Sequence, residues 1–117
     1  MKWIKIPSSA LQIKAPIQLL KLEGRKFCLI YHEGNWHATS YTCPHAGANL
    51  ANGWCEEGKL FCPFHRHSFD LVDGKGAVGQ NNNIKIYRIE EREDGMYIKL
   101  PQSFFKRIFD VLSKKFN

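Results

Sequence analysis

Two thiols and two imidazoles, interleaved along the chain, constrain it more than any other feature. Cys43-Pro44-His45 is followed, with 16 residues between His45 and Cys62, by Cys62-Pro63-Phe64-His65, which reads C-x-H…C-x-x-H. Thiolate is a soft, strongly donating metal ligand and imidazole a neutral one. A fold that uses all four must bring two short loops together from well-separated parts of the chain. Pro44 and Pro63 follow the two cysteines directly and stiffen both loops by fixing φ. Cys₂His₂ is also a zinc set, but zinc fingers place two Cys first and two His later. The interleaved order departs from that pattern and points away from zinc.

With 117 residues, one domain is expected, and a bound metal centre would add to the stability of a small core. No apolar run approaches the roughly 18–20 residues of a membrane span. The start, Met1-Lys2-Trp3-Ile4-Lys5-Ile6-Pro7, has no continuous apolar stretch of the kind a signal peptide carries, so a cytoplasmic location is expected. Four cysteines in such a compartment indicate metal or redox chemistry rather than disulfides. Cys28, inside Phe27-Cys28-Leu29-Ile30, reads as a small buried hydrophobe. Cys55 is expected in a loop between the two blocks, either incidental or an oxidation-sensitive thiol. The net charge is +6, of which Lys106, Arg107, Lys114 and Lys115 against Asp110 supply +3. Such a charge favours acidic partners. The basic residues are scattered and accompany no nucleic-acid motif, so nucleic acid is not expected as a partner.

Short β-prone runs dominate. Residues 3–6, 17–22, 25–31, 36–39, 84–89 and 96–100 read as strands, with turns at Glu23-Gly24, around Glu33-Gly34 and at residues 90–95. That spacing indicates an all-β antiparallel sandwich or barrel. Residues 40–83 are rich in Gly, Pro and Asn, as two ligand loops with a hairpin between them would be. After Pro101, Ser103 is a suitable N-cap, and Phe104, Phe105, Ile108, Phe109, Val111, Leu112 and Phe116 recur at helical spacing. The tail therefore predicts an amphipathic basic helix over 102–117. It either covers a flank of the β domain, docks on a partner or a second copy, or lies on an anionic membrane surface.

Two Cys on one iron and two His on the other is the ligand set of a Rieske [2Fe–2S] centre. The longer pattern C-P-H-A-G-A-x-L from Cys43 to Leu50, then Gly53, Gly58 and Leu60, then C-P-F-H-x-x-x-F-D from Cys62 to Asp70 with Gly74, resembles the Rieske family. The resemblance covers about residues 1–100. It implies a Rieske-type β-sandwich over 1–101 with a cluster-binding subdomain at about 40–75. It also implies one [2Fe–2S] cluster held by Cys43, His45, Cys62 and His65. High-potential relatives carry an extra Cys in each ligand loop, joined as a disulfide. Here those positions are Ala48 and Phe64. Relatives of that kind also place Ser and Tyr hydroxyls on cluster atoms, where this chain has His67 and Phe69. The resemblance is thus to the low-potential, soluble ferredoxin type, in the lower part of a range of roughly −150 to +300 mV. Arg66 follows the last ligand where many relatives have Gly. His67 either fills space or tunes the centre. His32 and His37 read as surface histidines beside turns.

The leading functional expectation is a one-electron carrier, a ferredoxin component that receives electrons from a reductase and delivers them to an oxygenase or another redox enzyme. The alternatives are an accessory subunit resembling the small subunit of assimilatory nitrite reductase, or a non-catalytic redox or iron-sensing module. No nucleophile–base pair and no phosphate loop is evident. An oxygenase would need a further mononuclear-iron domain with a 2-His-1-carboxylate triad. No substrate turnover of its own is expected.

Overall fold

The computed structural model describes residues 1–101. The helix expected over 102–117 lies outside the described residues. In chain order the strands are β1 (Lys2–Lys5), β2 (Ile17–Leu22), β3 (Arg25–His32), β4 (Asn35–Thr39), β5 (Trp54–Glu56), β6 (Lys59–Phe61), β7 (Ser68–Asp70), β8 (Ile86–Tyr87), β9 (Ile89–Arg92) and β10 (Gly95–Leu100). They form three antiparallel sheets, ordered β1-β10-β9, β2-β3-β4-β8 and β5-β6-β7. Two 3₁₀ turns, Ser8–Leu11 and Leu50–Asn52, complete the regular structure of the described residues. The all-β antiparallel architecture expected from the sequence is present.

Strand β3 organises the molecule. Side chains of a strand alternate between faces, so Phe27 and Leu29 point one way and Cys28 and Ile30 the other. Phe27 and Leu29 join Ile6, Ala38, Ile98 and Leu100 in the core between the two large sheets. Cys28 and Ile30 join Leu50, Leu60, Phe69 and Leu71 in a second core beneath the β5-β6-β7 sheet. All four β3 residues are fully buried. That is why the run is apolar throughout instead of alternating. Each such side chain contributes about 1.5–3 kcal/mol on burial, enough for β3 to fasten the small sheet to the sandwich.

Three hairpins turn on the same dipeptide. Glu23-Gly24, Glu33-Gly34 and Glu57-Gly58 all place both residues at positive φ, between 48° and 81°. This is the pair of conformations that a two-residue type I′ turn needs. Glycine takes the second position without strain, and Glu accepts the first.

Two expectations are corrected. The run 84–89 is not one strand: it divides into β8 and β9 on either side of Arg88. The chain there leaves the sheet of β4 and enters that of β10, and the Lys99 N–H reaches the Arg88 carbonyl at 2.9 Å. The apolar positions slip by one residue at the crossing, from Ile84 and Ile86 against the second core to Tyr87 and Ile89 against the first. Cys55 lies on β5, opposite Leu60, not in a loop. It is half-buried against the second core, and burial pushes its thiol up to about 11. A thiol held protonated is a poor target for oxidation.

Candidate metal centre

Both ligand loops are tips of the same construction. The first leaves β4 and runs from Cys43 to Ala48. The Cys43 N–H donates to the Ala48 carbonyl at 2.9 Å and the Gly47 N–H to the Cys43 carbonyl at 2.8 Å. Gly47 supplies the required positive φ of 71°. The second loop joins β6 to β7 and is closed by the Cys62 N–H donating to the His67 carbonyl at 2.7 Å. In each, the cysteine stands first, at the buried base, and the histidine stands at the tip. Cys43 and Cys62 are 1% and 0% exposed, whereas His45 and His65 are exposed.

The loops meet in two like pairs. The Cys43 and Cys62 thiols share a hydrogen bond. The His45 and His65 rings lie 5.3 Å apart, centroid to centroid, at 80°. Among the described residues, no three or more His, Cys, Asp or Glu side chains converge as a single bound ion requires. A buried thiol pair beneath an exposed imidazole pair is instead what a two-iron cluster with split ligation asks of its donors. Burial pushes the Cys62 thiol up, and the neighbouring Cys43 adds to this, while a backbone hydrogen bond from Phe64 acts the other way. The sulfur thus already receives a loop N–H of the kind that tunes such centres.

A third imidazole completes the surface. The His67 ring stacks on His45 at 4.1 Å and 18°, and its buried Nδ1 has no hydrogen-bond partner among the described residues. Desolvation, then His45 and His65, hold His67 below the ordinary imidazole range. His65 and Arg66 both take positive φ, 58° and 56°, a strained conformation for residues with a side chain. The Arg66 guanidinium lies 5.6 Å from the centre of the Trp54 ring, and Trp54 stacks on Phe61 at 5.4 Å. The preference for Gly at this position thus has a conformational reason, and Arg66 is held by an aromatic contact.

Three supporting residues were not visible as such in the sequence. Gln80 binds Ser68 through both ends of its amide, accepting from the Ser68 N–H and donating to the Ser68 carbonyl, each at 3.0 Å. This pins the chain directly after His67. His32 and His37, read as surface residues, are partly buried between β3-β4 and the small sheet. His32 Nε2 accepts from the Gly58 N–H at 3.0 Å, and His37 hydrogen-bonds the backbone of Leu71. A lone Gln in an Asn-rich stretch carries no sequence signal. His32 and His37 do share one signal, since both fall on the β3-β4 face that carries Cys28 and Ile30.

A β-sandwich bearing two facing Cys–His loops defines a class of metal-carrying domain. The sequence profile of the Rieske [2Fe-2S] domain matches residues 2–88, and the chain belongs to that family, whose cofactor is one [2Fe–2S] cluster. It is 28% identical over 82 residues to the ferredoxin component of naphthalene 1,2-dioxygenase/salicylate 5-hydroxylase systems from Ralstonia, covering 69% of this chain and 79% of that one. It is 35% identical over 79 residues to the nitrite reductase [NAD(P)H] of Emericella nidulans, covering 59% of this chain but only 7% of that enzyme. The ferredoxin of carbazole 1,9a-dioxygenase from Nocardioides aromaticivorans superposes with a TM-score of 0.72 at 17% identity, over 86% of this chain and all of that one. The fold is therefore that of Rieske ferredoxins. No helix among the described residues is long and apolar enough to cross a membrane.

Proposed function

We propose that this chain is a one-electron carrier, the ferredoxin component of an oxygenase or a comparable redox system. In this reading Cys43 and Cys62 hold one iron of the cluster, and His45 and His65 hold the other. The cluster supplies reversible uptake of a single electron. The observation that carries the reading is the division of the donors, thiols buried and imidazoles at the surface. Buried thiols lose their protons on metal binding and keep water from the sulfur side. Exposed imidazole edges at the loop tips give a partner a short path for the electron. Phe64, 56% exposed beside His65, offers apolar contact area at the same tip. The ferredoxin relative supports this role. Residues 1–101 act in it as one Rieske unit, with the cluster-binding part at about 40–75, in a cytoplasmic chain that meets acidic-surfaced partners.

The test is a coulometric titration of the purified holoprotein. One electron per chain, taken up and returned over repeated cycles with no substrate present, is the expected result. A reductive step that destroys the cluster, or uptake of two electrons, would refute it. The similarity to a short stretch of a nitrite reductase favours a second reading, in which the chain is an accessory subunit. A holoprotein that keeps its cluster only as part of a stable complex would decide for that.

A further inference from the structure

Four of the five histidines have a role in the account above. His45 and His65 stand at the loop tips as proposed ligands, and His32 and His37 bond the backbone of Gly58 and Leu71. His67 is left over, and its surroundings hold it in one place. Its carbonyl accepts from the Cys62 N–H at 2.7 Å. The next residue, Ser68, has its N–H and carbonyl bound by the Gln80 amide. The ring itself lies 4.1 Å from the His45 ring at 18°, and cannot swing outward without giving up that stack. His67 thus belongs to the end of the second ligand loop and packs on the tip of the first. His45 and His65 both act on it electrostatically.

The ring nevertheless keeps one polar atom unused. Nδ1 is buried and has no hydrogen-bond partner among the described residues, whereas buried polar atoms in native proteins are almost always paired. His45 cannot serve as the partner. A hydrogen bond from a ring nitrogen runs close to the N–H direction, in the plane of the ring, and the His45 ring lies over that plane instead of in it. The groups still missing from this neighbourhood are the sulfurs of a bound centre. Sulfide and cysteine thiolate accept hydrogen bonds and donate none, so a bond to either requires the proton on Nδ1.

On the ligand assignment already given, we propose that His67 donates a hydrogen bond from Nδ1–H to a sulfur of the bound [2Fe–2S] centre and thereby raises its reduction potential. Reduction puts further negative charge on the centre, and a hydrogen bond strengthens as its acceptor gains charge. The reduced state therefore gains more from this N–H than the oxidised one, in the way that hydrogen bonds to cluster sulfurs set the potential. His67 tunes the centre and does not merely fill space.

The test is the midpoint potential of the full-length holoprotein at about pH 8, above the ordinary imidazole range, so that no lost charge enters. His67→Phe keeps a flat ring against His45 and removes the N–H. It shifts the redox equilibrium towards the oxidised state by about tenfold, which is 59 mV for one electron. His67→Leu, also without a donor, falls with it and serves where the Phe variant fails to hold a cluster. His67→Asn loses the stack but carries an amide N–H near the place of Nδ1, and stays within about threefold of the parent. Proton ENDOR of the reduced proteins in H₂O and D₂O reads the bond itself, and the donor-free variants lack one exchangeable coupling that the parent shows. A potential unchanged in both donor-free variants, a fall shared equally by His67→Asn, or a full set of exchangeable couplings without the imidazole overturns the proposal. A parent without the EPR signal of mixed His and Cys ligation would instead overturn the ligand assignment. A parent with that signal and indifferent variants leaves the assignment standing and refutes the role of His67 alone.

Discussion

Gly53 is the residue whose replacement most directly separates packing from backbone strain. It follows the 3₁₀ turn Leu50–Asn52, with φ −87°, a conformation open to any residue. A Cβ there would nevertheless drive into the Phe61 carbonyl oxygen and also crowd the Leu50 carbonyl oxygen. Both obstacles are backbone, so no side chain can swing aside. Phe61 is the last residue of β6, paired with Trp54 and Ser68 on its two sides, and it immediately precedes Cys62. Relief must therefore move β5 away from β6 at the point where the second ligand loop begins. Overpacking of this kind costs about 1–3 kcal/mol or more. At roughly 4–6 °C per kcal/mol for a domain of this size, Gly53→Ala lowers the melting temperature by about 5–15 °C. Gly58→Ala is the control. Gly58 has φ 75°, and a Cβ on it would meet nothing within 4 Å, so it carries only the conformational cost of about 1–2 kcal/mol. Thermal melts read both, and iron and sulfide content separates them. Gly53→Ala loses cluster, whereas Gly58→Ala keeps it. A Gly53→Ala protein with full iron content and an unchanged melt would refute the close approach.

Other outcomes follow from the same geometry. Gln80→Ala strips Ser68, only 7% exposed, of two backbone hydrogen bonds. It lowers stability by about 1–3 kcal/mol, read as a shift in the urea midpoint, with a faster loss of iron to a chelator. Arg66→Gly relieves about 1–2 kcal/mol of left-handed strain and gives up a cation–π contact of about 0.5–1 kcal/mol. Its melt stays within a few degrees of the parent, while Arg66→Val, β-branched at the same φ, falls clearly below both. His37 is held below its ordinary value of 6.5 by burial first and by His32 second, against the Leu71 backbone bond. The folded imidazole takes a proton less readily than the unfolded one. Stability is therefore full above about pH 6.5 and declines as pH falls from there towards the lower folded value. Urea midpoints measured across that window fall on acidification, and His37→Gln flattens the slope.

Much of the architecture was legible because it rests on local chemistry. The hairpins at Glu23-Gly24 and Glu33-Gly34 announce themselves through glycine, and the edges of β2 were readable to the residue. The four candidate ligands were legible because C-x-H and C-x-x-H tie each cysteine to its own histidine within one loop. What escaped depends on long-range placement. The break at Arg88 escaped because its trace is small: the apolar positions change phase between Ile86 and Tyr87, and two such short halves read together as one strand. Cys55 sits among turn-forming residues, yet three residues suffice for β5 once β6 pairs with them. His32 and His37 resemble surface histidines until the small sheet is laid over their face. Gln80 acts on Ser68 from 12 residues away, a distance at which no periodicity speaks.

The most direct test of the split Cys and His ligation is an EPR spectrum of the dithionite-reduced holoprotein, recorded alongside its metal content. Iron and inorganic sulfide in equal amounts are expected, with a rhombic signal at the low average g value that mixed His and Cys ligation gives. A colourless, EPR-silent protein with stoichiometric zinc would contradict it. So would a signal left unaltered when His65 is replaced by Cys, which would remove His65 from the ligand set.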